Sequence, residues 1–131
     1  MTFLQNDHLG KLLLRLTLGL LMLPHGIAKI IDGIGGIEGM VVDAGLPAFI
    51  AYGVYVGEIV APIMVIVGFY CGVGALLIAI NMVFAIALAH PHELFDLTQH
   101  GGWALELQGF FLLTALALMF TGPGRMSLNG R

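Results

Sequence analysis

The stretch LLMLPHGIAKIID, residues 20–32, sets a proline, a histidine and a lysine inside an otherwise apolar run. A charged side chain is costly in a dry core and costlier against lipid unless it is paired or reaches the interface. Whether these residues cross a membrane therefore decides the fold, and the surrounding composition answers. Of 131 residues, 59% are hydrophobic and only 10% charged, with a mean hydropathy of +0.99. That is too little charge to clothe a soluble domain. Four apolar stretches, at about 11–31, 48–69, 72–90 and 103–121, each approach the ~20 residues that span a ~30 Å hydrocarbon layer. The composition predicts an all-α protein: one domain over residues 1–131, folded as an antiparallel four-helix transmembrane bundle.

The first apolar run is too long for a secretory signal core and is followed by three more, so it reads as a retained span. Lys11 and Arg15 flank its start, and Arg125 and Arg131 follow the last span. The two loops on the other side carry Asp32, Glu38 and Asp43, and then Glu93 and Asp96. Basic ends and acidic loops give both termini inside and both long loops outside. Arg15, about 6 Å from the inner end of its helix, reads as an anchor that reaches the interface. No basic cluster suggests nucleic acid. The lone cysteine, Cys71, excludes a two-thiol relay within one chain.

Local signals refine the spans. Asn6 or Asp7 can cap the first helix, and Pro24 should bend it. The connection DGIGGIEGMVVDAGLP, residues 32–47, is rich in turn-forming glycine but could hold a short amphipathic segment at the outer interface. Gly53 and Gly57 form a G-x-x-x-G pair, the spacing that lets a neighbouring helix approach closely. Trp103 suits an interfacial belt.

Polar residues at membrane depth are few. His25 falls about 9 Å inside the outer face, while Glu58 and Asn81 fall roughly 15 Å deep, near the midplane. Lys29 and Glu106 sit higher, at a similar level. Groups from four helices thus gather in one half of the bilayer, where opposite charges favour convergence over exposure to lipid. The set has two readings, structural glue between helices and a pocket open to the outer face. A pocket gains from histidine, a residue type that exchanges protons near neutral pH.

A second constellation, HPHELFDLTQH at 90–100, offers His90, His92, Glu93, Asp96 and His100 in eleven residues. The spacing matches no structural zinc pattern and has no thiolate, although imidazoles suit zinc or copper. A solvated loop near headgroups has a similar composition. No haem-attachment motif or nucleotide-binding glycine loop is present, so no intrinsic redox centre is visible.

Four segments, taken in order, resemble the DoxX family of small membrane proteins: GKLLLRLTLGLLMLPHGIAKIIDG (10–33), AGLPAFIAYGVYVGEIVAP (44–62), HGGWALEL (100–107) and TGPGRMSL (121–128). The resemblance implies a bacterial-type inner-membrane protein, in a family whose members are often named oxidoreductases. Its founding name is linked to a small subunit of a membrane thiosulfate:quinone oxidoreductase, and other members to quinone or catechol stress. It carries over His25, Lys29, Glu58 and Glu106 as the polar signature and leaves the histidine-rich loop unexplained.

The expected function is a redox-associated membrane protein that binds a quinone-like or other small apolar substrate in an outer-half pocket. His25 would exchange a proton with Glu58 as its deep partner, Asn81 would hold an oxygen of the substrate, and Lys29 and Glu106 would set the charge. Electrons would come from a partner redox protein. The rival readings are a non-catalytic membrane subunit or assembly module, and a small-solute transporter working as a homo-oligomer.

Overall fold

The computed structural model describes residues 6–89 and 95–130, and among these the chain is all helical, with five helices and no strands. Helix α1, Asp7–Asp32, is started by Asn6, whose side chain accepts from the Leu9 backbone N–H at 3.0 Å. Asp7 in the first turn complements the helix dipole. The helix continues through Pro24 and ends at Gly33, whose φ of +82° turns the chain away. The glycine-rich connection then forms α2, Gly35–Asp43. The amphipathic segment foreseen in that loop is thus a true helix, and its buried Val41 faces the start of the next one.

The third helix, α3, covers Ala48–Val67 and changes pitch along its length. It opens as a tight 3-10 turn over Ala48–Tyr52, passes a short α turn, widens to a π turn over Val56–Val60, and closes as regular α-helix over Ala61–Val67. Pro62 supplies the reason for the widening. An α-helical Glu58 carbonyl would look to residue 62 for a donor, but proline has no N–H and its ring crowds that oxygen. The turn before it absorbs the misfit by bonding Ala61 N–H to Val56, five residues back. Gly68, at φ +73°, ends α3 in the left-handed region.

Helix α4 runs Cys71–Ala89 and α5 runs Glu106–Thr121. Helices α1, α3 and α4 are long and apolar enough to cross a membrane, whereas α5 is apolar but has 16 residues. Its start lies three residues later than the apolar run suggested. Residues 96–104 instead close on themselves: Thr98 N–H donates to the Gly102 carbonyl, Ala104 N–H donates to Asp96, and Leu97 pairs with Trp103. Trp103 lies over α5, where a Cβ on Gly109 would sit 2.5 Å from the indole ring.

The core lies between α1, α3, α4 and α5, with Leu18, Met22, Val65, Ile78, Phe111 and Leu118 at its centre. Close approach depends on glycine. A Cβ on Gly26 would collide with the Glu58 carbonyl, and one on Gly57 would sit 2.5 Å from the Asn81 Cβ. Gly53, the other half of the G-x-x-x-G pair, has nothing within 4 Å of a built Cβ. The motif therefore packs a helix at one glycine and leaves open space at the other.

The far end of the molecule is closed by Arg15, which is 2% exposed. It does not reach outward to an interface. Its guanidinium donates to the carbonyls of Val65 (3.0 Å), Ile66 (2.9 Å), Pro123 (3.1 Å) and Met126 (2.6 Å). The first two are carbonyls of the last turn of α3, of which Val65 also accepts from the Gly68 N–H, and there a cation meets the negative end of the helix dipole. The other two belong to the C-terminal tail, which Arg15 thereby ties beneath the helices.

Candidate functional site

The wide turn of α3 brings Glu58 into the interior, where its carboxyl group is 5% exposed. Lys29 reaches it from α1, with Nζ 2.6 Å from Oε1. Asn81 reaches it from α4, with Nδ2 donating to Oε2 at 2.9 Å. Three helices are therefore joined at one side chain, and Gly26 and Gly57 are the positions that allow their backbones so near it. Tyr55 adds a third tie, its hydroxyl donating to the Lys29 carbonyl at 3.3 Å. That carbonyl also accepts from Gly33, which fixes the last turn of α1.

The cluster forms one wall of a cavity of about 600 Å³, within the usual range for sites that enclose a small molecule. All five helices line it. Ile37, Met40 and Val41 of α2 cover it, while Leu77 and Phe84 of α4 and Phe111 of α5 supply apolar wall. Lys29 keeps 29% of its side chain exposed, so its ammonium can donate further hydrogen bonds after serving Glu58. A second, shallower hollow of about 350 Å³ adjoins the first between α1 and α2, sharing His25, Lys29, Ile37 and Met40 and adding Asp32.

The expected residues that are described fall in different places. His25 lines the cavity, its imidazole edge-on to the Phe111 ring with centroids 5.8 Å apart. Lys29, Glu58 and Asn81 are in direct contact, and the carboxylate's cationic partner is Lys29. Glu106 is exposed at the first turn of α5 and is not part of the cavity wall; Leu107, Gln108 and Phe111 represent α5 there. His90, His92 and Glu93 lie outside the described residues. Asp96 and His100 are exposed, and no group of three or more potential metal ligands forms among the described residues.

The sequence reading missed two features. The pairing of Lys29 with Glu58 depends on the π turn, and the signal for it was Pro62 four residues after the carboxylate. The covering role of α2 had a weaker signal, the apolar residues Ile37, Met40 and Val41 at helical spacing.

The family model described as DoxX matches residues 10–91, a stretch that holds His25, Lys29, Glu58 and Asn81 together. The chain belongs to the DoxX family. This DoxX chain is also 29% identical over 125 residues to the Bacillus subtilis (strain 168) protein named "Putative oxidoreductase CatD", covering 95% of this chain and 88% of that relative. No solved structure matches it. Family membership, that relative's name and three helices of membrane-crossing length together point to a membrane protein with a redox-associated role.

Proposed function

We propose that this DoxX protein binds a quinone-like substrate in the cavity between its helices and exchanges protons with it, while a partner redox protein supplies electrons. The observation that carries the reading is a largely apolar cavity of about 600 Å³ whose few polar side chains are His25, Lys29, Glu58, Asn81 and Gln108. Such a site suits a flat apolar molecule with one or two oxygen atoms. The ammonium of Lys29 and the carboxylate of Glu58 offset each other, so the site favours a neutral ligand over an anion. Asn81 and Lys29 donate toward the substrate oxygen, and His25 and Glu58 pass protons. Reduction of a quinone to a quinol takes two electrons from the partner and two protons through these groups. With one cysteine, the chain has no dithiol pair of its own to supply electrons, and the proposal gives that role to the partner.

The same reading sets the protein in a bacterial inner membrane as an antiparallel four-helix bundle. Helices α1, α3, α4 and α5 are the spans, α2 lies at the outer interface, and both termini face the cytoplasm. Lys11, Arg15 and Arg125 at the closed end support that orientation.

Calorimetry of the purified protein in lipid nanodiscs, titrated with a short-chain benzoquinone, tests the function. Binding should weaken at least about 10-fold in Glu58→Gln and in Asn81→Leu, a loss of about 1.4 kcal/mol. Equal affinity in wild type, both variants and His25→Ala, with all four folded, would overturn the reading. Absence of binding to the wild type would do the same.

A further inference from the structure

The cavity wall is uneven in a way that bears on how a ligand enters. Along its inner half, from Val56 to Val67, α3 packs directly on α4. Above Glu58 the two helices part, because the opening turns of α3 make their main contacts with α2 instead. The gap is edged by Gly53 and Val56 on α3 and by Ile80 and Phe84 on α4. All four line the cavity and all four are also exposed. The edge is entirely apolar, and at Gly53 there is no side chain to fill it. The hollow between α1 and α2 is the more polar of the two openings, with His25, Lys29 and Asp32 in its lining.

We infer that the substrate is an amphiphile drawn from the bilayer. Its oxygen-bearing ring sits at Lys29, Glu58 and Asn81, and its hydrocarbon tail leaves through the slit between α3 and α4 past Gly53 and Phe84. The inference rests on the proposed quinone-type site and names the kind of molecule that site takes. A tail leaving by the α1–α2 hollow would pass Asp32 and Lys29, whose hydration it would displace without replacement. A tail in the α3–α4 slit meets only apolar side chains and then lipid. The polar hollow is left to water and protons, so the two openings divide the work by chemistry.

Two probes with the same benzoquinone ring test this, one carrying a ten-carbon tail and one without a tail. Binding to the protein in nanodiscs is measured for wild type, Gly53→Phe, Ile80→Trp and, at the other opening, Gly36→Phe. A Cβ at Gly53 or Gly36 meets nothing within 4 Å, so neither side chain starts against a neighbour, and thermal unfolding of each variant checks that it folds. The wild type should prefer the tailed probe by at least about 10-fold, and Gly53→Phe and Ile80→Trp should reduce that preference to about 2-fold or less. Gly36→Phe should retain it. A preference that survives both slit variants, or collapses in Gly36→Phe instead, overturns the inference. A wild type that binds the two probes equally also overturns it while leaving the ring site intact, whereas a wild type that binds neither removes the ring site itself.

Discussion

Helix α1 brings two cations to α3, and the molecule treats them in opposite ways. Arg15 meets backbone carbonyls at the end of α3, is buried from every side, and uses its fork of donors on four oxygens. Lys29 lies fourteen residues further on, about 21 Å along the axis. It meets a carboxylate at the wide turn of the same helix and remains partly open to a cavity. Both arrangements solve the same problem, a positive charge among apolar helices. The Arg15 end is packed shut and ties down the C-terminal tail, which is the mark of a structural lock. The Lys29 end keeps spare donors beside a cavity, which is what the proposed binding site requires. Burial of a charge is therefore less informative than whether its bonding capacity is used up.

That contrast breaks most visibly at Arg15. Arg15→Ala leaves buried carbonyls of α3 and the tail without this donor and should destabilise the protein by about 3–5 kcal/mol, read from thermal or denaturant unfolding in detergent. Arg15→Lys should recover only part of this, since an ammonium cannot match the planar fork. Wild-type stability in Arg15→Ala would show that the closed end is no lock.

The Lys29 end should respond differently. Lys29→Met or Glu58→Leu alone strands the other charge and should cost about 3 kcal/mol, whereas the two together should return to within about 1.5 kcal/mol of wild type. Quinone binding should stay lost in the double variant. Recovery of binding along with stability would make the pair structural, like Arg15.

The smallest effects separate the glycines. Gly26→Ala and Gly57→Ala push a methyl group into Glu58 and Asn81 and should each cost about 1–3 kcal/mol. Gly53→Ala faces open space at a helical φ of −59° and should change stability by less than about 1 kcal/mol, in the stabilising direction. Equal losses at Gly53 and Gly57 would mean that the slit beside Gly53 is filled.

Much of the fold was legible because membrane helices declare themselves by composition. Long apolar runs separated by polar, glycine-rich loops locate α1, α3 and α4, and the scarcity of charge leaves few candidates for a site. His25, Lys29, Glu58 and Asn81 could be singled out for that reason alone, since each is expensive where it stands. The late start of α5 was not legible, because the hydrogen bonds that fold residues 96–104 onto themselves compete with helix in a stretch whose apolar pattern suits either. Nor was the exposure of Glu106, whose depth resembles that of Lys29 but whose direction depends on where α5 begins.

The sequence by itself thus determined that the chain is helical, apolar enough for lipid, and provided with a small set of polar residues in the same half of the spans. Only the tertiary structure decided their partners. Depth along a helix follows from a fixed rise per residue, but direction around it follows from local pitch, and Pro62 alters that pitch beside Glu58. The widened turn, with two glycines that let α1 and α4 come near, gives Glu58 to Lys29 and Asn81. Arg15, similar in sequence context to any interfacial anchor, became a lock because the ends of two distant segments meet around it.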